Sequence, residues 1–264
     1  MRPLLKLEDV SYSYHTLSGE TPALSHLSFS VFPGEFVAVV GPSGCGKSTL
    51  LSIIFGLLAP EEGKVLFSSD SSPQCPSDVP GKRVCPPIGY MLQKDHLFEW
   101  RTVYQNALLG LDVAHKNTPE AREYVLSLLR DYGLYKFKDK RPCELSGGMK
   151  QRAALIRTLA LNPDLLLLDE PFSALDYQTR LHVSGDICNI IKSCKKTALL
   201  ITHDLSEAIS LADRVIVLSK RPATVKMEMP VRLTKQDNSV LSARNAPEFK
   251  DYFNILWEAM SDEK

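Results

Sequence analysis

The sequence predicts an α/β fold, and three observations predict it. Apolar runs of buried-strand length at residues 165–168, 197–202 and 214–219 alternate with longer helical stretches. That is the pattern of parallel strands joined by helical crossovers. A further apolar run, residues 36–40, leads through a glycine-rich turn into a stretch of helical character, residues 47–58. Ahead of it, apolar and polar residues alternate with period two, which marks antiparallel strands with one solvated face. With 264 residues, 44% of them hydrophobic and 23% charged, the chain can bury a full core.

The elements follow in order. Leu5, Leu7, Val10, Tyr12 and Tyr14 mark a strand of edge type, and residues 18–22 read as a turn. Leu27, Phe29 and Val31 alternate again before Pro33 and Gly34 turn the chain into the strand at 36–40. After the helix at 47–58, residues 60–63 read as a turn and 64–67 as a short strand. Residues 68–87 are rich in Ser and Pro without an apolar period, so a surface loop is expected. Strand character resumes at 88–92 and delivers Gln93.

From about 94 to 160 the character is helical. Thr118 and Pro119 open one helix, Ala121, Val125, Leu128, Leu129 and Tyr132 share its apolar face, and Gly133 stops it. A second helix opens at Ser146 and carries Met149, Ala153, Ile156, Leu159 and Ala160 on one face. Residues 223–264 form a tail with a helix expected at 247–260, where Phe249, Tyr252, Phe253, Leu256 and Met260 align. No internal repeat is visible.

Composition narrows the function. Lys and Arg number 31, as do Asp and Glu, so the formal net charge is zero and bulk electrostatics do not favour a nucleic-acid partner. The longest apolar stretches fall short of a membrane span, and the first residues lack the apolar core of a signal peptide, which places the chain in the cytosol. The six cysteines are scattered and none form C-x-x-C, as expected of unpaired thiols in a reducing compartment.

Gly41, Pro42, Ser43, Gly44, Cys45, Gly46, Lys47, Ser48 and Thr49 fit the phosphate-loop pattern G-x-x-x-x-G-K-[ST], between a strand and a helix as that pattern requires. The glycines let the backbone turn its N–H groups inward, and the positive end of the following helix favours a polyphosphate. Lys47 supplies a point charge for the β- and γ-phosphates, and Ser48 a hydroxyl for Mg²⁺. Asp169 and Glu170 end an apolar run; the first suits Mg²⁺ through water, the second a proton-accepting role toward an attacking water. His203 and Gln93, also at strand ends, are candidates for the γ-phosphate and the metal, and the Tyr14 ring for an adenine. Ser146, Gly147 and Gly148 make a second helix start directed at an anion.

Taken together these motifs resemble those of the ATP-binding subunit of an ABC transporter over residues 1–222. They occur in the family's order. Tyr14 stands at the adenine-stacking position, Gly41 to Thr49 as Walker A, Gln93 as the Q-loop, and Leu145 to Arg152 as the signature. Asp169 closes Walker B with Glu170 behind it, Ser173 to Asp176 form the D-loop, and His203 is the switch histidine. Met149 departs from the commonest signature, which has Gln there. The resemblance implies a P-loop NTPase (RecA-like) core with an N-terminal antiparallel β-subdomain and an inserted helical subdomain.

It further implies a head-to-tail homodimer with each ATP between one subunit's phosphate loop and the other's Ser146, Gly147 and Gly148. Ser48, Gln93 and, through water, Asp169 would hold Mg²⁺, Glu170 and His203 would serve hydrolysis, and Asp176 would link the two sites. The helical region would receive an integral-membrane permease, placing the subunit on the inner face of the cell membrane. Glu99 to Val103 after the Q-loop, Met149, and Leu218 to Pro222 resemble the ATPases of nitrate, sulfonate, taurine and thiamine-precursor importers, which are served by an extracytoplasmic solute-binding protein. The rival readings are an exporter or lipoprotein-release ATPase, and a non-transport ABC ATPase.

Overall fold

The computed structural model describes residues 2–17, 19–68, 87–237 and 239–261. Its centre is a sheet of six strands in the order β5-β6-β7-β3-β8-β9, formed by β3 (Phe36–Val40), β5 (Ile88–Met91), β6 (Leu165–Asp169), β7 (Thr197–Ile201), β8 (Arg214–Leu218) and β9 (Val225–Pro230). The first five are parallel and β9 is antiparallel at the edge. Period-two geometry divides each central strand between two cores. Ala38, Val40, Leu166 and Leu168 face one, while Val37, Val39, Leu165 and Leu167 face the other. Every residue of β3, β6 and β7 is buried, which is why these strands read as continuous apolar runs.

The second face is covered by α1 (Lys47–Phe55) and by a three-stranded antiparallel sheet in the order β2-β1-β4. Its strands are β1 (Leu5–Thr16), β2 (Gly19–Val31) and β4 (Glu62–Phe67). The β1 strand was expected at an edge; it lies in the middle, bonded on both sides. Residues 19–22, expected as a turn, belong to β2, where Pro22 pairs with Ser13. A proline is tolerated there because β2 is an edge strand. Gly63, also expected in a turn, lies inside β4 with φ 79°, and a Cβ at this position would come within 2.2 Å of Asp9 O. Helix α1 stops at Phe55 rather than 58, because Gly56 takes φ 86° and its N–H bonds back to Ser52 O and Ile53 O. The interior of the Ser/Pro-rich stretch, 69–86, lies outside the described residues.

The remaining helices pack on the first face or extend from it. They are α2 (Val103–Val113), α3 (Pro119–Asp131), α4 (Gly147–Leu159), α5 (Tyr177–Ser193), α6 (Leu205–Leu211), α7 (Val240–Arg244) and α8 (Phe249–Ser261). Thr118 caps α3 by accepting from Ala121 N, and Val125, Leu128 and Leu129 are buried on the face expected for them. The tail beyond 222 supplies β9 to the central sheet and then α7 and α8. Leu256 of α8 is fully buried, and Phe249, Tyr252, Phe253 and Met260 pack against the same core.

Candidate nucleotide site

The parallel order of β6, β7 and β3 brings three chain segments together at their carboxyl ends, the usual place for a site in such a sheet. Gly41 follows β3, Glu170 follows β6, and Thr202 and His203 follow β7. Backbone bonds lock this junction: Glu170 N–H donates to Ile201 O at 2.9 Å and Thr202 N–H to Val39 O at 3.3 Å.

The phosphate loop is tightly constrained. A Cβ on Gly41 would meet Cys45 Sγ and Leu218 Cβ at 3.1 Å, and Gly46 takes φ 118° with Ala23 O 2.9 Å from where its Cβ would stand. Lys47 is buried, and its ammonium donates to Gly41 O at 2.8 Å and Pro42 O at 2.9 Å. Gly46 places no side chain over the first N–H groups of α1. Helices α2 to α7, by contrast, are each capped by a side chain: Thr102, Thr118, Ser146, Asp176, Asp204 and Ser239. The uncapped donors and the positive end of α1 fit an anion.

Beside the loop, Asp169 is 9% exposed and accepts from the Ser48 hydroxyl and, at 3.4 Å, from Tyr90 OH. Burial pushes the Asp169 carboxyl up; the Ser48 hydrogen bond opposes this, the Glu170 charge adds to it, and Tyr90 and Lys47 oppose it. Burial, with the charge of Asp169 behind it, also raises the Tyr90 phenol. The Ser48 hydroxyl and the Asp169 carboxylate are hard oxygen donors of the kind that suit Mg²⁺.

Glu170 has a left-handed backbone, φ 43°. Its N–H bond to Ile201 holds that conformation, as do the bonds its carbonyl accepts from Ser173 N at 3.2 Å and Ser173 Oγ at 3.0 Å. Strain of this kind costs of order 1–3 kcal/mol and persists only where neighbours over-determine it. The result aims the carboxylate at His203 Nδ1, 3.1 Å away. Gln93 Nε2 approaches Ser173 Oγ at 3.5 Å, so the strand-end glutamine meets the Glu170 turn. Tyr14 joins from the antiparallel sheet: its ring is 39% exposed and its hydroxyl bonds Thr49 Oγ1 at 3.0 Å. The Arg221 guanidinium lies 5.9 Å from the centre of that ring.

A second group forms around the start of α5. Ser146 caps its own helix, accepting from Met149 N at 3.4 Å. A Cβ on Gly147 would meet Leu175 Cδ2 at 3.0 Å, and one on Gly148 would meet Val183 Cγ2 at 2.7 Å. Asp176 caps α5 through Thr179 N at 3.0 Å, and these bonds from Thr179 hold its carboxyl below the usual range. Met149 packs its side chain on the core.

Residues 24–173 match the ABC transporter family. The chain belongs to that family. This ABC ATPase is 42% identical over 257 residues to the uncharacterized ABC transporter ATP-binding protein YtlC of Bacillus subtilis, covering 97% of this chain and 95% of YtlC. It is 38% identical over 255 residues to the nitrate import ATP-binding protein NrtD of a Synechocystis species, covering 94% and 91%. Among solved structures it resembles a dimeric post-hydrolysis state of the ATP-binding cassette MJ0796 bound to ADP and Pi. The TM-score is 0.69 at 32% identity, with 86% of this chain and 99% of that one covered. The chain is therefore an ATP-binding, ATP-hydrolysing protein of the ABC transporter family. No helix among the described residues is long and apolar enough to cross a membrane.

Several residues around the site of this ABC ATPase escape sequence reasoning. Tyr90 reaches Asp169 only because β5 and β6 are neighbours, with Tyr90 opposite Leu167. Arg180, Thr202, Asp204 and Glu207 surround His203 and Glu170. For two of these a local signal was present: Asp204 and Glu207 stand at the spacing of a helix-start box, and Asp204 does cap α6.

Proposed function

We infer that this ABC ATPase powers uptake of a small solute, of the nitrate, sulfonate, taurine or pyrimidine-precursor kind, through a membrane permease, working as one half of a head-to-tail homodimer. The observation that carries this reading is the contrast between its two clusters. One has an uncapped helix start, Lys47 and a Glu170–His203 pair. The other has an exposed, weakly engaged serine at the start of α4. The first can hold a triphosphate; the second can close over one from a facing copy. The dimeric cassette MJ0796 and the nitrate import protein NrtD lend the reading support.

In this mechanism the loop from Gly41 to Thr49 holds the phosphates, with Lys47 giving up its loop carbonyls to pair with them. Ser48, Gln93 and, through water, Asp169 would hold Mg²⁺, which when bound neutralises charge on the phosphate oxygens. Tyr14 offers its ring to the base. Glu170 orients and deprotonates the attacking water, and His203, 3.1 Å from it, holds the position of that carboxylate and meets the γ-phosphate. Asp176 would link this site to that of a facing copy. ATP closes the dimer because it binds the closed state better, and hydrolysis removes that preference. Phe98 and Trp100 stack with centroids 4.7 Å apart in the segment ahead of α2, and Trp100 is 70% exposed, an apolar surface suited to the permease.

Glu170→Gln tests the reading. Hydrolysis should fall by about a thousandfold while ATP still binds, and ATP should drive a stable dimer seen in sizing runs. Normal turnover in that variant would remove Glu170 from its role. Co-purification from membranes should bring an integral-membrane partner, and its absence would overturn the transport assignment.

A further inference from the structure

Behind Glu170 and His203 lies a narrow cavity whose lining includes Arg180, Thr202, Asp204 and Glu207. Apart from the α6 cap made by Asp204 and the backbone bond from Thr202 to Val39, these four have no part in the nucleotide site described so far. Arg180, on the first turn of α5, donates from Nη2 to Leu175 O at 3.0 Å, and its Nη1 stands 3.8 Å from Asp204 Oδ2. Asp204 Oδ1 accepts from Ser206 N at 2.8 Å and Glu207 N at 3.2 Å, while its own N–H donates to Thr202 Oγ1 at 3.1 Å. Glu207 is 5% exposed and lies beside Thr202 in the same lining. A row of polar groups, interrupted by the 3.8 Å gap between Arg180 and Asp204, thus runs from the turn that ends at Asp176 to the segment that carries His203.

We propose that Arg180, Asp204 and Glu207 are positioning residues that tie the Leu175–Asp176 turn to the His203 loop, so that movement of the turn against a facing subunit is passed to the histidine and Glu170. The proposal rests on the hydrolytic reading of Glu170 and His203. Two features argue for transmission over simple stabilisation. The Arg180–Asp204 separation of 3.8 Å is well beyond the 2.7–2.9 Å of a charge-assisted bond. Arg180 Nε is buried without an acceptor among the described residues. The contact therefore has slack that closure can take up.

Glu207 gives the second argument. Burial pushes its carboxyl up to about 7, and Asp204 adds to this while Thr202, Arg180 and His203 oppose it. The charged and titratable groups around it are Asp204 and His203 from its own segment, Arg180 from α5 and Glu170 from the turn after β6. A carboxyl whose folded value lies above its unfolded one subtracts stability as pH rises from the ordinary range, near 4.5, through about 7. At pH above that window the buried Glu207 anion is a cost to folding, so its presence points to a task in the working protein.

The test uses the full chain with Arg180→Ala, Arg180→Lys and Glu207→Gln, and Glu170→Gln measured alongside. The expected result for Arg180→Ala and Glu207→Gln is a kcat lowered by about tenfold with ATP affinity within about twofold of the parent. Arg180→Lys should recover part of the loss. Glu207→Gln should also lose a step in the rate between about pH 6 and 8 that the parent shows, although His203 is intact. Its Tm at pH 8 should not fall below the parent's. Unchanged kcat and pH profile would overturn the proposal, as would a loss of ATP affinity or of Tm that matches the loss of rate. Glu170→Gln separates the two readings: it stops turnover whether or not the linkage exists, and continued turnover there would strike the hydrolytic reading itself.

Discussion

Helix α1 begins at a left-handed Gly46 with no side-chain cap among the described residues, whereas α4 begins under Ser146, which caps it. Both starts are glycine-rich and both were expected to meet phosphate. The glycines of the first are there for backbone shape, with Gly46 at φ 118° and Gly44 at φ 75°. Those of the second are there for room, since α5 and Leu175 press against Gly147 and Gly148. A helix end with unsatisfied donors needs a partner from outside the chain. A helix end that is already capped can lend a side chain to a neighbour and stay folded without it. In the proposed dimer this contrast separates a helix start that would bind the triphosphate in a single chain from one that would act across the interface.

The sharpest way to break this contrast is at Lys47. In the single chain its ammonium is bonded to Gly41 O and Pro42 O. Lys47→Ala removes a buried charge from the anion site, and charge-assisted bonds are worth about 1.5–3 kcal/mol each. Affinity for a slowly hydrolysed triphosphate analogue should fall by about a hundredfold, roughly 3 kcal/mol, in an equilibrium titration. A fall of less than about threefold would deny that α1 carries the single-chain site.

A smaller effect is expected at Gly148. A Cβ there would lie 2.7 Å from Val183 Cγ2, on a fully folded neighbour. Gly148→Ala should cost about 1–3 kcal/mol of stability in denaturant titration, the usual penalty of overpacking. Triphosphate binding by the folded monomer should not change. A neutral result would mean that α5 yields freely, and the glycine would then need a different reason, such as close approach of a ligand.

Legibility in the sequence followed the range of the interaction. Strand-end residues such as Asp169, Glu170 and His203 could be placed because strand, turn and helix start are local in sequence, and the structure does set Glu170 and His203 3.1 Å apart. The middle position of β1 was not legible, because its second partner, β4, lies beyond the phosphate loop. Arg180 was missed for the same reason: its distant partner Asp204 is brought near by the packing of α5 against α6 and by no pattern along the chain. From the residues alone Tyr14 was only one candidate for the adenine, and the resemblance strengthened it; its hydroxyl bond to Thr49 ties the ring to the helix that follows the loop.

The smallest effect on the single chain, and the one that separates the two helix starts most cleanly, is expected at Ser146. Its cap bond to Met149 N is long at 3.4 Å, and loss of a helix cap costs about 0.5–2 kcal/mol, so the low end of that range applies. Ser146 is exposed, and a longer side chain there has solvent to enter. Ser146→Arg should therefore fold, lose at most about 1 kcal/mol, and bind a triphosphate analogue as tightly as the parent. In the proposed dimer the same arginine would stand where the facing subunit's γ-phosphate must approach, and its bulk would hold the two copies apart. ATP should then fail to produce a dimer in sizing runs, even on a Glu170→Gln background that otherwise traps one. Were that double variant still to dimerise, the start of α4 would be an ordinary capped helix end, and the nucleotide site would belong to one chain alone.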